Sequence, residues 1–189
     1  SGPLPLPPSR HVAVLACMDA RLDVYRILGV SDGEAHVIRN AGGVVTDDEI
    51  RSLAISQRLL GTTEIILIHH TDCGMLTFTD DEFKREIQTE IGQKPNWAAE
   101  SFTDLDEDIR QSLTRIRNSP FITKTSSLRG FVFDVATGLL REVEKLNLQQ
   151  QEQLLRVARQ MQAAETPVGT PGEVLLADLQ RYQYEPGDL

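Results

Sequence analysis

His11-Val12-Ala13-Val14-Leu15-Ala16-Cys17 and Glu64-Ile65-Ile66-Leu67-Ile68-His69-His70 are the two stretches on which the fold turns. Each is a short apolar run, rich in β-branched residues and without polar alternation, and such runs read as strands covered on both faces of a parallel sheet. Ala35-His36-Val37-Ile38-Arg39 reads as a further strand, closed by Asn40-Ala41-Gly42-Gly43, where the glycines permit tight backbone turns. A short helix from about Leu22 separates the first two strands, and Thr46-Asp47-Asp48-Glu49 opens another with the capping-box pattern, its stripe formed by Ile50, Leu53 and Ala54. Strands therefore alternate with helices, the signature of parallel crossover units.

Beyond the second stretch, Thr79-Asp80-Asp81-Glu82 repeats the capping box ahead of Phe83, Ile87 and Ile91. Leu105, Ile109, Leu113 and Ile116 mark a further amphipathic helix. Arg129-Gly130-Phe131-Val132-Phe133-Asp134 is a fourth strand, and the turn at Ala136-Thr137-Gly138 sends Leu139 to Val143 back as an edge hairpin. The expected fold is α/β: a central, mainly parallel four-stranded sheet with an antiparallel edge strand, flanked by helices. Residues 1–144 form that domain. Residues 145–189 are expected to form a C-terminal helical extension, with Leu154, Val157, Ala158 and Met161 on one helix face and Leu175, Leu179 and Tyr182 on another.

Composition narrows the function. The 189 residues carry 19 Lys+Arg against 28 Asp+Glu, a net charge of −9, which repels phosphate backbones and anionic lipid. Neither nucleic acid nor a membrane is an expected partner. No apolar run approaches the ~18 residues of a membrane span, and the opening decapeptide with its four prolines lacks the form of a signal peptide, so a cytoplasmic location is expected. Cys17 and Cys73 are the only cysteines. A disulfide is not needed by a domain of this size, which leaves metal, catalysis or burial.

Parallel sheets place functional groups beyond the carboxyl ends of their strands. Cys17 and the His70/Cys73 pair fall there and supply two thiolates and one imidazole, a set that suits tetrahedral zinc (Zn2+) with its fourth position left for water. A structural site would ask for a fourth Cys or His, and there is no third cysteine. His70 is preferred over His69 because alternation along the strand turns the two rings to opposite faces. His11, His36 and His69 read as hydrogen-bonded strand histidines. Asp19 and Arg21, two and four residues after Cys17, can form a charge-assisted pair beside the metal. There Asp19 would accept the proton of bound hydroxide and orient its lone pair, with Arg21 holding the carboxylate. Released by Arg21, Asp19 could itself ligate zinc and close the site.

Cys17-Met18-Asp19-Ala20-Arg21, Arg39-Asn40-Ala41-Gly42-Gly43 and His70-Thr71-Asp72-Cys73-Gly74, in that order and each following a strand, resemble the signature blocks of the β-class carbonic anhydrases. The resemblance runs from about Pro5 to Val143. It implies zinc on Cys17, His70 and Cys73, the Asp19/Arg21 dyad, and a homodimer or larger homo-oligomer. The implied activity is reversible hydration of carbon dioxide to bicarbonate, with alkaline pH favoured because two thiolates offset the ion's charge. Backbone N–H groups of Ala41, Gly42, Gly43 and Gly74 are expected to steer the substrate's oxygens. Two departures from the family stand out: prolines occupy the place of an N-terminal helical arm, and the extension from residue 145 could dock on the assembly or on a protein partner. Carbonyl sulfide and carbon disulfide hydrolases share the scaffold and the ligands, so they are the nearest alternative; a non-catalytic zinc protein and a redox pair of Cys17 with Cys73 are more distant ones.

Overall fold

The computed structural model describes residues 4–143 together with Arg156 and Arg159. The chain divides into two units, Ser1–Val143 and Glu144–Leu189, and the helical extension expected from residue 145 falls outside the described residues apart from those two arginines. In the first unit the order is β1 (Val12–Cys17), α1 (Val24–Leu28), β2 (Ala35–Asn40), α2 (Asp47–Leu60), β3 (Glu64–His70), α3 (Asp80–Ile91), α4 (Leu105–Asn118), β4 (Ser127–Phe133) and β5 (Leu140–Glu142). These strands make one sheet in the order β2-β1-β3-β4-β5, in which the first four run parallel and β5 pairs antiparallel with β4. No helix among the described residues is long and apolar enough to cross a membrane.

Alternation sorts the central strands into two cores. Ala13 and Leu15 of β1 with Ile65 and Leu67 of β3 face Ile50 and Leu53 of α2 and Ile109, Leu113 and Ile116 of α4. Val14, Ala16 and Ile68 face the other way, onto Leu22, Val24, Met75 and Phe102. Helix α4 docks closely because β4 offers Gly130 beneath it: a Cβ there would stand 2.2 Å from the Ile109 side chain. Both capping boxes form as the sequence predicts, Thr46 with Glu49 and Thr79 with Glu82.

One local expectation changes. Helix α1 starts at Val24, two residues later than the apolar pattern suggests, because Asp23 accepts from the Arg26 N–H and so becomes the N-cap, leaving Leu22 buried in the turn. The stripe on α3 is not covered within the described unit: none of its residues is buried, and Phe83 instead joins Phe78 and Trp97, ring centroids 5.2 and 6.2 Å away. What fixes α3 is its first residue. Asp80 accepts hydrogen bonds from the backbone N–H groups of Ala99, Glu100 and Ser101 and from the Ser101 hydroxyl.

Burial of Asp80 acts to raise its pKa, but these donors outweigh it and the net shift is downward. A carboxylate with a lowered folded-state pKa contributes stability that is present above its unfolded pKa and lost as pH falls through the folded one. Asp80→Ala should therefore lose about 2 kcal/mol at neutral pH. Urea denaturation of both proteins over a pH series checks this, since their difference should shrink below about pH 4.

Candidate metal centre

Cys17 ends β1 and His70 ends β3, its neighbour in the sheet, while Cys73 lies three residues further on the loop that turns into a single 3-10 turn at Gly74–Leu76. All three are buried, and one potential ligand atom from each lies within 4.8 Å of the others. The Cys17 and Cys73 sulfurs are 4.0 Å apart. Two thiolates at ~2.3 Å from a tetrahedral zinc would stand ~3.8 Å apart, so little movement is needed to hold the ion. His70 Nδ1 lies 2.8 Å from the Thr71 carbonyl, which requires the proton on Nδ1, and the buried Nε2 has no hydrogen-bond partner. A carbonyl that fixes the tautomer and leaves the other nitrogen's lone pair free is the arrangement a metal-ligating imidazole needs. The donor set fits zinc on these grounds.

The electrostatics agree. The Cys73 thiol beside it lowers the Cys17 pKa well below the usual thiol range, helped by His70 and the backbone N–H groups of Asp19 and Gly42 against the opposing effect of burial. The same contact, together with burial, pushes the Cys73 thiol up. Burial alone would lower the His70 pKa, but the Cys17 sulfur and the Thr71 carbonyl raise it on balance. A zinc ion held there would displace the protons that these three groups share, since it binds thiolates and the neutral imidazole.

Arg21 holds Asp19 by three N–H groups: its backbone N and Nε reach Oδ1 at 2.8 and 2.9 Å, and Nη2 reaches Oδ2 at 2.8 Å. These bonds keep the Asp19 carboxyl well below the usual carboxylate range. Asp19 Oδ2 stands 3.7 Å from His70 Nε2, beside the ligand cluster. Two further residues take part that the sequence reading quoted without giving them roles. Asp72 accepts from Arg21 Nη1 at 2.7 Å through its carboxylate and from Nη2 at 2.9 Å through its carbonyl. Arg39 donates to the Cys17 and Asp19 carbonyls at 3.1 and 2.6 Å, tying the first ligand loop to the end of β2. Both contacts cross strands, so no local spacing announces them.

The glycines divide by role. Gly43 at φ 72° packs so tightly that a Cβ would stand 2.7 Å from the Cys17 nitrogen, and the Gly42 N–H is directed to the Cys17 sulfur. Ala41 and Gly74 are exposed, and nothing lies within 4 Å of a Cβ at Gly74. His69 points away from the cluster: its Nε2 meets Asp108 Oδ2 on α4 at 2.5 Å and its ring stacks on Phe102. His36 pairs with the Ser56 hydroxyl at 2.7 Å, and His11 with the Gly61 carbonyl at 3.1 Å.

Residues 12–140 match the carbonic anhydrase family, and with its relatives the chain belongs to the β class of these enzymes. Among individual proteins it is 75% identical over 142 residues to Beta-carbonic anhydrase 1 of Mycobacterium tuberculosis, a match covering 75% of this chain and 87% of that one. A carbonic anhydrase structure from Streptococcus mutans superposes with a TM-score of 0.73 at 45% identity, covering 76% of this chain and 87% of the other. The carbon disulfide hydrolase of an Acidianus strain is 35% identical over 165 residues, covering 75% of this chain and 81% of that protein.

Proposed function

We propose that the chain catalyses the reversible hydration of carbon dioxide to bicarbonate, with zinc held by Cys17, His70 and Cys73. The observation that carries this reading is the 75% identity to a named β-carbonic anhydrase, more than twice the 35% found against a carbon disulfide hydrolase. Zinc bound there would supply a Lewis acid that brings the pKa of a water in the fourth position down towards neutral. The chain's own residues supply orientation. Asp19, ionised and fixed by Arg21, accepts a hydrogen bond from the attacking water oxygen and so turns its lone pair towards the carbon of carbon dioxide. Backbone at Ala41 and Gly74, left open by the packing, faces the substrate, whereas Gly42 and Gly43 serve the Cys17 loop. The released proton passes to solvent or buffer.

A cytoplasmic enzyme working as a homodimer or larger homo-oligomer completes the proposal. Exposed Met18, Leu59, Phe121 and Leu139 are apolar side chains available to the assembly as surface for a partner copy; they do not bear on the location.

Stopped-flow carbon dioxide hydration at about pH 8.5, on protein of known zinc content, tests the reading. Rapid turnover in step with zinc content is the expected result. Negligible turnover at full zinc would overturn it, and hydrogen sulfide release from carbonyl sulfide or carbon disulfide, measured on the same sample, would transfer the assignment to the hydrolase activity.

A further inference from the structure

Arg21 and Asp19 sit on the same loop, two residues apart, so the bonds between them do not by themselves fix either relative to the second ligand loop. Asp72 supplies that fixed point. It is one residue before Cys73, and it takes two bonds from the Arg21 guanidinium, one on each of its oxygens of different kind, carboxylate and backbone carbonyl. Four donor contacts of the guanidinium are thus divided between two carboxyl residues that belong to opposite ligand loops. Its φ of 55° brings both acceptors to the same side, in a left-handed conformation that aspartate tolerates better than most residues. Beyond the dyad, we infer that Asp72 is a positioning residue: by anchoring Arg21 to the Cys73 loop it keeps Asp19 turned to the substrate side and off the metal's fourth position.

The alternative position is close at hand. Asp19 Oδ2 is already 3.7 Å from His70 Nε2, and a dyad free to swing as a unit brings that oxygen into competition with water or any small anion for the fourth position. Asp72 is largely exposed, its side chain at 79%, so its ion pair is screened and its effect is modest. About fivefold is the expected size, the rate factor that ~1 kcal/mol corresponds to.

The inference rests on the carbonic anhydrase reading, and its test separates the two. Asp72→Gly removes the carboxylate while suiting the positive φ; Asp72→Asn keeps the backbone and one neutral acceptor. Each is compared with wild type in two assays: hydration kinetics of the zinc-loaded protein, and thiocyanate titration of the cobalt-loaded protein followed by its visible absorption. Asp72→Gly should lose about fivefold in kcat with little change in KM and bind thiocyanate about fivefold more weakly, with Asp72→Asn between it and wild type. Wild-type values for Asp72→Gly in both assays would overturn the inference. So would loss of metal or fold in Asp72→Gly alongside a normal Asp72→Asn, because that pattern marks a loop role only. If zinc-loaded wild type fails to hydrate carbon dioxide, the functional reading falls while the thiocyanate titration still decides on Asp72.

Discussion

Asp19→Asn should keep a full equivalent of zinc and lose about 10²–10³-fold in kcat/KM for carbon dioxide hydration. The three proposed ligands are untouched by this change, so metal content measures the site while kinetics measure the dyad. The carboxylate offers two acceptor oxygens to Arg21 and retains lone pairs for the attacking water. An amide offers one acceptor oxygen and puts N–H donors where the second stood. Arg21 and the substrate side then compete for a single oxygen, and whichever wins, the water loses its orienting acceptor or the carboxyl position loses its clamp. The loss should be in kcat, because an uncharged linear substrate gains little binding from Asp19. Metal analysis and stopped-flow kinetics on one preparation check both halves; near-normal turnover would remove Asp19 from the chemistry.

Gly43→Ala should be among the most damaging single methyl groups in the described unit. At φ 72° an alanine is strained by roughly 1 kcal/mol. Its Cβ would also stand 2.7 Å from the Cys17 nitrogen, 2.9 Å from the Ala16 carbonyl carbon and 3.1 Å from the Ile68 oxygen, all backbone atoms of the two central strands. Side chains can rotate away from an intruder, but paired strands cannot, and such overpacking adds about 1–3 kcal/mol. A total near 3 kcal/mol, with impaired zinc retention because the Cys17 loop is displaced, is the expected outcome by thermal denaturation and metal analysis. Gly74→Ala is the control: with open space around it, its stability should change by less than about 0.5 kcal/mol. Equal melting temperatures for the two variants would contradict this account.

Much of this was legible in the linear sequence because each signal is local. A buried parallel strand is continuously apolar, so β1 and β3 stand out, and a chemistry-bearing residue at the end of such a run declares itself, as Cys17 and His70 do. Capping boxes span four residues, and both were visible. Alternation was enough to separate His70 from His69, whose ring goes to Asp108 on α4. The contacts that escaped are non-local. Asp72 meets Arg21 across 51 residues and Arg39 reaches the Cys17 carbonyl across 22, and both depend on β1 lying between β2 and β3, which the order of elements along the chain does not state. The α3 stripe marks the same limit: periodicity gave the helix with its apolar face, as found, but does not tell whether its own unit supplies the surface that covers it.

The 56-residue separation between Cys17 and Cys73, closed in space to 4.0 Å, has a thermodynamic meaning apart from catalysis. An ion shared by the two sulfurs ties off a loop containing β2, α2 and β3, and a permanent tie of that length would remove about 4 kcal/mol of conformational entropy from the unfolded chain. A zinc tie is reversible, so the benefit becomes a function of free zinc, growing by RT ln(1 + [Zn]/Kd). With zinc held there, folding and metal supply would be linked: zinc scarcity would withdraw stability as well as the reaction's Lewis acid, and the apoprotein would be the form most open to proteolysis and turnover.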